Sequence, residues 1–153
     1  MPTGQAIVML KRLTRINQKT GKITRSQNNA SNNIAIWHML YTMQIACYQT
    51  QSGRSPVEDF IEALPKVDQA RFIDVFEGIE EYGFGCPRVQ LKSLRGKLWE
   101  IKFNAPSGGY RIAYVVVEAD QMVWLHAFKK KTQKTPVADL ELAEKRMMEV
   151  LAT

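Results

Sequence analysis

The apolar residues change their spacing at Cys86-Pro87, from a period of 3.6 to a period of 2. That change asks for helices before it and a sheet after it. Upstream, "SPVEDFIEAL" carries Ser55 as N-cap, Pro56 at the first helical position and Glu58 at the third. Its apolar stripe is Val57, Phe60, Ile61 and Leu64, and Pro65 stops it. Asp68 is positioned to cap a second short helix, antiparallel to the first, with Phe72, Ile73, Val75, Phe76 and Ile79 on one side and an end near Gly83. Earlier still, "YTMQIACYQT" has strand-forming content and runs into the turn "QSGRSP". Downstream, "KLWEIKF" alternates, with Trp99, Ile101 and Phe103 on one face and Leu98, Glu100 and Lys102 on the other. The turns "NAPSGG" and "EADQ" join it to "YRIAYVVVE" and then to "MVWLHAF". Thr135 caps a last helix with Pro136 at its first position and a stripe of Leu140, Ala143, Met147 and Val150. The expected order is β-α-α-β-β-β-α: a small α+β domain over residues 39–153, its antiparallel meander packed on two N-terminal helices.

Charge divides the chain in a second way. Residues 1–38 hold six bases and no acid, and are rich in Thr, Gln, Asn and Ser. Such a stretch buries too little to offset its ordering entropy, apart from a short helix over residues 5–16. It is expected to be a disordered basic extension; an organelle presequence, or translation from an upstream start, would have the same composition. The remaining residues balance 15 bases against 15 acids, yet residues 54–81 carry three bases and eight acids while residues 88–134 carry ten bases and three acids. A basic half of this kind suits a polyanion, nucleic acid above all. Cys47 and Cys86 have neither metal spacing nor a disulfide framework, which points to free thiols in a reducing compartment, the cytoplasm. No apolar run reaches the length of a membrane span, and no phosphate loop, dinucleotide fingerprint or zinc-protease motif is present.

Placed on this frame, the cations converge. Lys102 ends one strand and Arg111 begins the next, so a hairpin brings them side by side. Lys129, Lys130, Lys131 and Lys134 leave the third strand, and Lys92, Arg95 and Lys97 enter from the loop before the first. Glu100 is the one acid within the group. Arginine presents a planar fork that matches phosphate oxygens, and lysine is a point charge that crowding can turn into a base. RNA supplies its own nucleophile, the 2′-hydroxyl, so strand cleavage needs a base, a phosphate clamp and an acid but no metal or cofactor. Lys102 or Glu100 would take the proton, Arg111 would clamp the phosphate, and Lys130 or Lys131 would serve the leaving oxygen. Plainer readings stand beside these. The lysine run is also what solubilises a sheet edge, Arg111 is also a partner for Glu100, and Glu100 a solvent-face strand residue. His126, alternating with Trp124 and Phe128, is a hydrogen-bonded, partly buried histidine or an RNA contact, and Trp99 and Trp124 read as core.

Four stretches carry a family resemblance: "SGRSPVEDFIEAL", "LKSLRGKLWEIKF", "GGYRIAYVVVE" and "WLHAFKKKTQKTPVADLELAEKR". Together they resemble the RelE superfamily of toxins from type II toxin–antitoxin modules, in its phage-derived HigB-like branch, over about residues 43–150. The resemblance implies a RelE-like fold and a ribosome-dependent endoribonuclease that cleaves mRNA and is held inactive by a helix-turn-helix antitoxin. It assigns function to Glu100, Lys102 and Arg111 and to Lys130 or Lys131; the placement of the cations on the strand frame adds Lys92, Arg95, Lys97, Lys129 and Lys134, with His126, as expected contacts to flanking RNA. Some members use a C-terminal tyrosine, which this chain lacks after Tyr114, and Glu100 stands where others have lysine. A non-enzymatic binder on the same scaffold, a gyrase-inhibiting toxin or an antitoxin-binding remnant, is the competing expectation.

Overall fold

A computed structural model describes residues 43–118 and 120–152. The basic extension, including the expected helix over residues 5–16, lies outside them. Strand β1, Gln44–Cys47, is followed by helices α1, Pro56–Glu62, and α2, Lys66–Tyr82. Four strands come next: β2, Gln90–Arg95; β3, Leu98–Ala105; β4, Gly108–Glu118; and β5, Gln121–Lys129. Helix α3, Val137–Leu151, closes the chain. The sheet order is β1-β5-β4-β3-β2. Strands β2 to β5 are antiparallel neighbours, while β1 lies parallel to β5, so the sheet is mixed rather than purely antiparallel.

Several helix ends follow the sequence closely. The Ser55 hydroxyl accepts the Glu58 amide at 3.4 Å, and Pro56 opens α1. Gly83 ends α2 with a φ of 57°, a backbone shape that glycine takes without steric cost. Two expected caps do not form. Helix α2 starts behind Pro65 and runs 17 residues, longer than expected, and Asp68 turns away from it. Its carboxylate instead accepts the Ser107 amide at 3.1 Å and the Tyr110 hydroxyl at 2.5 Å, pinning the β3–β4 hairpin to α2. Those bonds hold the acid below its usual range, led by the Tyr110 hydroxyl, while burial and the Asp68 charge push Tyr110 up to about 12. Thr135 likewise caps nothing; α3 begins behind Pro136 with no side-chain cap.

The sheet has two covered faces and therefore two cores. One packs on α1 and α2 and gathers Ile45, Val57, Phe72, Phe76, Ile101, Ile112, Tyr114 and Trp124. Phe72 meets Phe103 edge-on at 4.8 Å, and Phe76 meets Trp124 at 5.7 Å. Each such ring removed from water stabilises the fold by about 1.5–3 kcal/mol. The other face packs under α3, where Ala143 and Met147, one turn apart, cover Leu98, Val115 and Leu125. This second cover corrects the expectation of a sheet resting on the N-terminal helices alone. It also changes the environment of β3: Glu100, read as a solvent-face residue, is 0% exposed, whereas Trp99, read as core, is 39% exposed.

Strand β2 is the other correction, since residues 90–95 were expected to be loop. "QLKSLR" carries one apolar residue for each face: Leu91 packs toward the α1–α2 core and Leu94 toward the α3 core. An edge strand needs no more, and its pairing with β3 slips between Ser93 and Arg95, so no run of alternation survives to be read.

Candidate functional site

The hairpin places Lys102 directly opposite Arg111, and on the outer side Gln90 pairs with Lys102 and Lys92 with Glu100. Because side chains alternate along a strand, Glu100, Lys102, Arg111 and Lys92 share the face that α3 covers. Here α3 stops short, and the segment between β5 and α3, residues 130–136, crosses over as a strap. Its Lys130 amide is fixed to the Gly109 carbonyl at 2.8 Å. The Lys130 stem passes so close to Gly109 that a Cβ there would meet it at 3.2 Å.

At the centre lies a buried carboxylate. Glu100 Oε2 accepts the Thr135 hydroxyl at 2.7 Å, while Oε1 is 3.7 Å from Lys102 Nζ and 4.0 Å from Arg111 Nε. The Arg111 side chain is 1% exposed and the Lys102 side chain 25%. Arg111 Nη2 donates to the Thr132 carbonyl at 2.8 Å and the Gln133 carbonyl at 2.6 Å, and Nη1 donates to Thr135 Oγ1 at 3.4 Å. The edge of the guanidinium that would grip a phosphate in two-point fashion is thus capped by the strap. Lys102 is the member of the cluster that meets solvent.

The remaining cations divide between faces and tasks. Lys129 turns to the opposite side of the sheet, its ammonium 5.9 Å above the Tyr110 ring. The expected single lysine run is therefore split: Lys129 faces the α1–α2 side, while Lys130, Lys131 and Lys134 travel with the exposed strap. Arg95 is bound to Glu144 of α3 at 2.8 Å. Lys92 and Lys97 are exposed on the β2 edge and the following turn.

His126 lies one strand over, stacked on Phe128 at 5.1 Å, and Phe128 is the β5 partner of Arg111. Its Nε2 is 2.7 Å from Asp139, and its Nδ1 faces Arg146 Nη1 at 3.4 Å. A guanidinium only donates, so Nδ1 accepts and the ring proton sits on Nε2, pointing at Asp139. Burial pushes the histidine below its ordinary value, Asp139 opposes the shift, and Arg146 adds to it. Both ring nitrogens are engaged by α3, and Arg146 is fixed in turn by the Leu125 carbonyl at 2.9 Å and the Tyr48 ring at 5.2 Å. Among the described residues no group of three or more His, Cys, Asp or Glu is arranged to hold a metal ion, and no helix is long and apolar enough to cross a membrane.

Sequence reasoning missed Thr135, whose position before Pro136 reads as a cap. Its signal was weak but present: a hydroxyl within a strap that follows a strand adjacent to Arg111. A mixed sheet held between a helix pair and a C-terminal helix, with charged residues gathered under a strap, defines a small α+β domain with a buried polar cluster set into its sheet. The model of the phage-derived Gp49-like protein family (DUF891) matches residues 59–148, and the chain belongs to that family. No curated protein matches it.

Proposed function

We propose that this protein is the toxin of a type II toxin–antitoxin module, of the RelE superfamily and its HigB-like branch, and that it cleaves mRNA on the ribosome in the cytoplasm. Family membership supports the module, since Gp49-like proteins are associated with such toxins. One observation carries the chemistry: Lys102 and Arg111, partners across a hairpin, flank a buried carboxylate. In the proposed reaction Glu100 takes the 2′-hydroxyl proton and the 2′-oxygen attacks phosphorus. The bond to the 5′-oxygen breaks, and a strap lysine, Lys130 or Lys131, returns a proton to it. The products are a 2′,3′-cyclic phosphate and a 5′-hydroxyl. Lys102 neutralises the charge that builds on phosphorus, which is where a fixed cation lowers a barrier most. Arg111 joins it once the strap carbonyls withdraw, and Lys92, Arg95, Lys97 and Lys134 line flanking RNA, whereas Lys129, turned to the α1–α2 side, stands apart from that path. A helix-turn-helix antitoxin is the proposed partner.

The occupied fork of Arg111 favours a second reading, a non-enzymatic binder that inhibits gyrase or only holds its antitoxin. The two part on 5′-end mapping of cellular mRNA after induction. Cuts inside coding regions that require translation, and that disappear in Lys102→Ala, are expected of the nuclease. Intact mRNA with DNA damage overturns it in favour of gyrase.

A further inference from the structure

Glu100 Oε1 and Arg111 Nε are buried polar atoms with no hydrogen-bond partner among the described residues. They face one another at 4.0 Å, too far for a bond. A carboxylate and a guanidinium brought this close ordinarily settle into a two-point fork at about 2.7–2.9 Å. Here both halves of that fork are held elsewhere. Thr135 ties down the second carboxylate oxygen, and the Thr132 and Gln133 carbonyls tie down Nη2, the nitrogen on the same edge as Nε.

We propose that Thr135 is a positioning residue that keeps Glu100 and Arg111 apart, so that Oε1, buried but unbonded, can accept from a hydroxyl of the substrate once the strap carbonyls withdraw. A hydroxyl is the group that fits, because it donates to Oε1 while accepting from Nε or from Lys102 Nζ, and a ribose 2′-hydroxyl supplies it. The inference rests on the nuclease reading. Remove the Thr135 hydroxyl and the freed carboxylate turns to bond Arg111 Nε directly, which consumes Oε1, the oxygen assigned to the substrate's proton.

Thr135→Val keeps the shape and removes the hydroxyl, and Thr135→Ser restores it. In the full chain, the Arg111 Nε–H signal is followed by nitrogen–proton NMR. Its solvent exchange is expected to slow in Thr135→Val, where it gains a carboxylate acceptor, and to return to the wild-type rate in Thr135→Ser. Cleavage of translated mRNA is expected to fall about 100-fold in Thr135→Val. Affinity for a 2′-O-methyl RNA oligonucleotide, which binds but offers no proton, is expected to stay unchanged. A merely structural role would weaken binding and cleavage together. Unchanged Nε–H exchange in Thr135→Val overturns the wedge, and so does unchanged cleavage. Slowed exchange in a protein whose wild-type form cuts no RNA overturns the nuclease reading and the assigned role of Thr135 with it, so the two failures are told apart.

Discussion

At the scale of single residues, burial decides which substitutions report on chemistry. Arg111→Ala leaves the buried Glu100 carboxylate without its guanidinium, and breaking one partner of such a pair costs about 3–5 kcal/mol. Loss of toxicity in that variant would therefore mix unfolding with lost function. Lys102, a quarter exposed, is the cleaner probe. Lys102→Ala is expected to shift stability by less than about 1 kcal/mol in urea denaturation while abolishing growth arrest; growth arrest at the wild-type level would remove Lys102 from the mechanism. His126 gives a prediction in pH. Its folded form resists protonation, so the unfolded chain takes up a proton first as pH falls through 6.5. Stability present above 6.5 is thus expected to decline below it, until the folded histidine also titrates. Urea midpoints measured across that range should lose this slope in His126→Gln. The convergence of Lys102 and Arg111 was legible from the sequence, because hairpin pairing follows from two strand-forming runs and the turn between them. The burial of Glu100 was not, since it depends on a strap that arrives thirty residues later and has no periodicity of its own.

At the scale of elements, the helix pair and the three long strands could be read because each repeats a pattern over several turns or pleats. Strand β2 and the two failed caps could not, because one partner elsewhere decides each of them: β3 for the edge strand, Tyr110 for Asp68, Glu100 for Thr135. Packing between α2 and the segment that follows it offers a direct test. A Cβ added at Gly78 would sit 2.7 Å from Cys86 Sγ, closer than atoms tolerate. Gly78→Ala is expected to cost about 1–3 kcal/mol, and Cys86→Ala in the same chain to recover most of it. Equilibrium denaturation of the two single variants and the double variant reads the coupling; additive losses would show that the helix relieves the clash by shifting.

Over the whole molecule, charge is graded rather than uniform, with the acid-rich stretch 54–81 on the helices and the base-rich stretch 88–134 on the strands and strap. If RNA lies along the basic part, affinity for an RNA oligonucleotide should fall with salt, each phosphate contact adding roughly 0.7–0.9 to the log–log slope. Neutralising Lys11, Arg12, Arg15, Lys19, Lys22 and Arg25 in the full chain is expected to flatten that slope if the extension touches RNA. An unchanged slope confines the contact surface to the folded domain. The fold class was legible at this scale, but the parallel docking of β1 was not, for nothing in four residues specifies a neighbour so distant in the chain.

That distant pairing has a consequence for synthesis. Residues 44–47 leave the ribosome long before their backbone partners, residues 121–124, are made. The hairpins from β2 to β5 close over short spans and can form early, whereas β1 must wait for a loop of nearly half the chain to close. The strap and Thr135 come later still. A nascent chain of this protein is therefore incomplete at its charged cluster until the strap has emerged, which ties any activity of that cluster to the synthesis of Thr135.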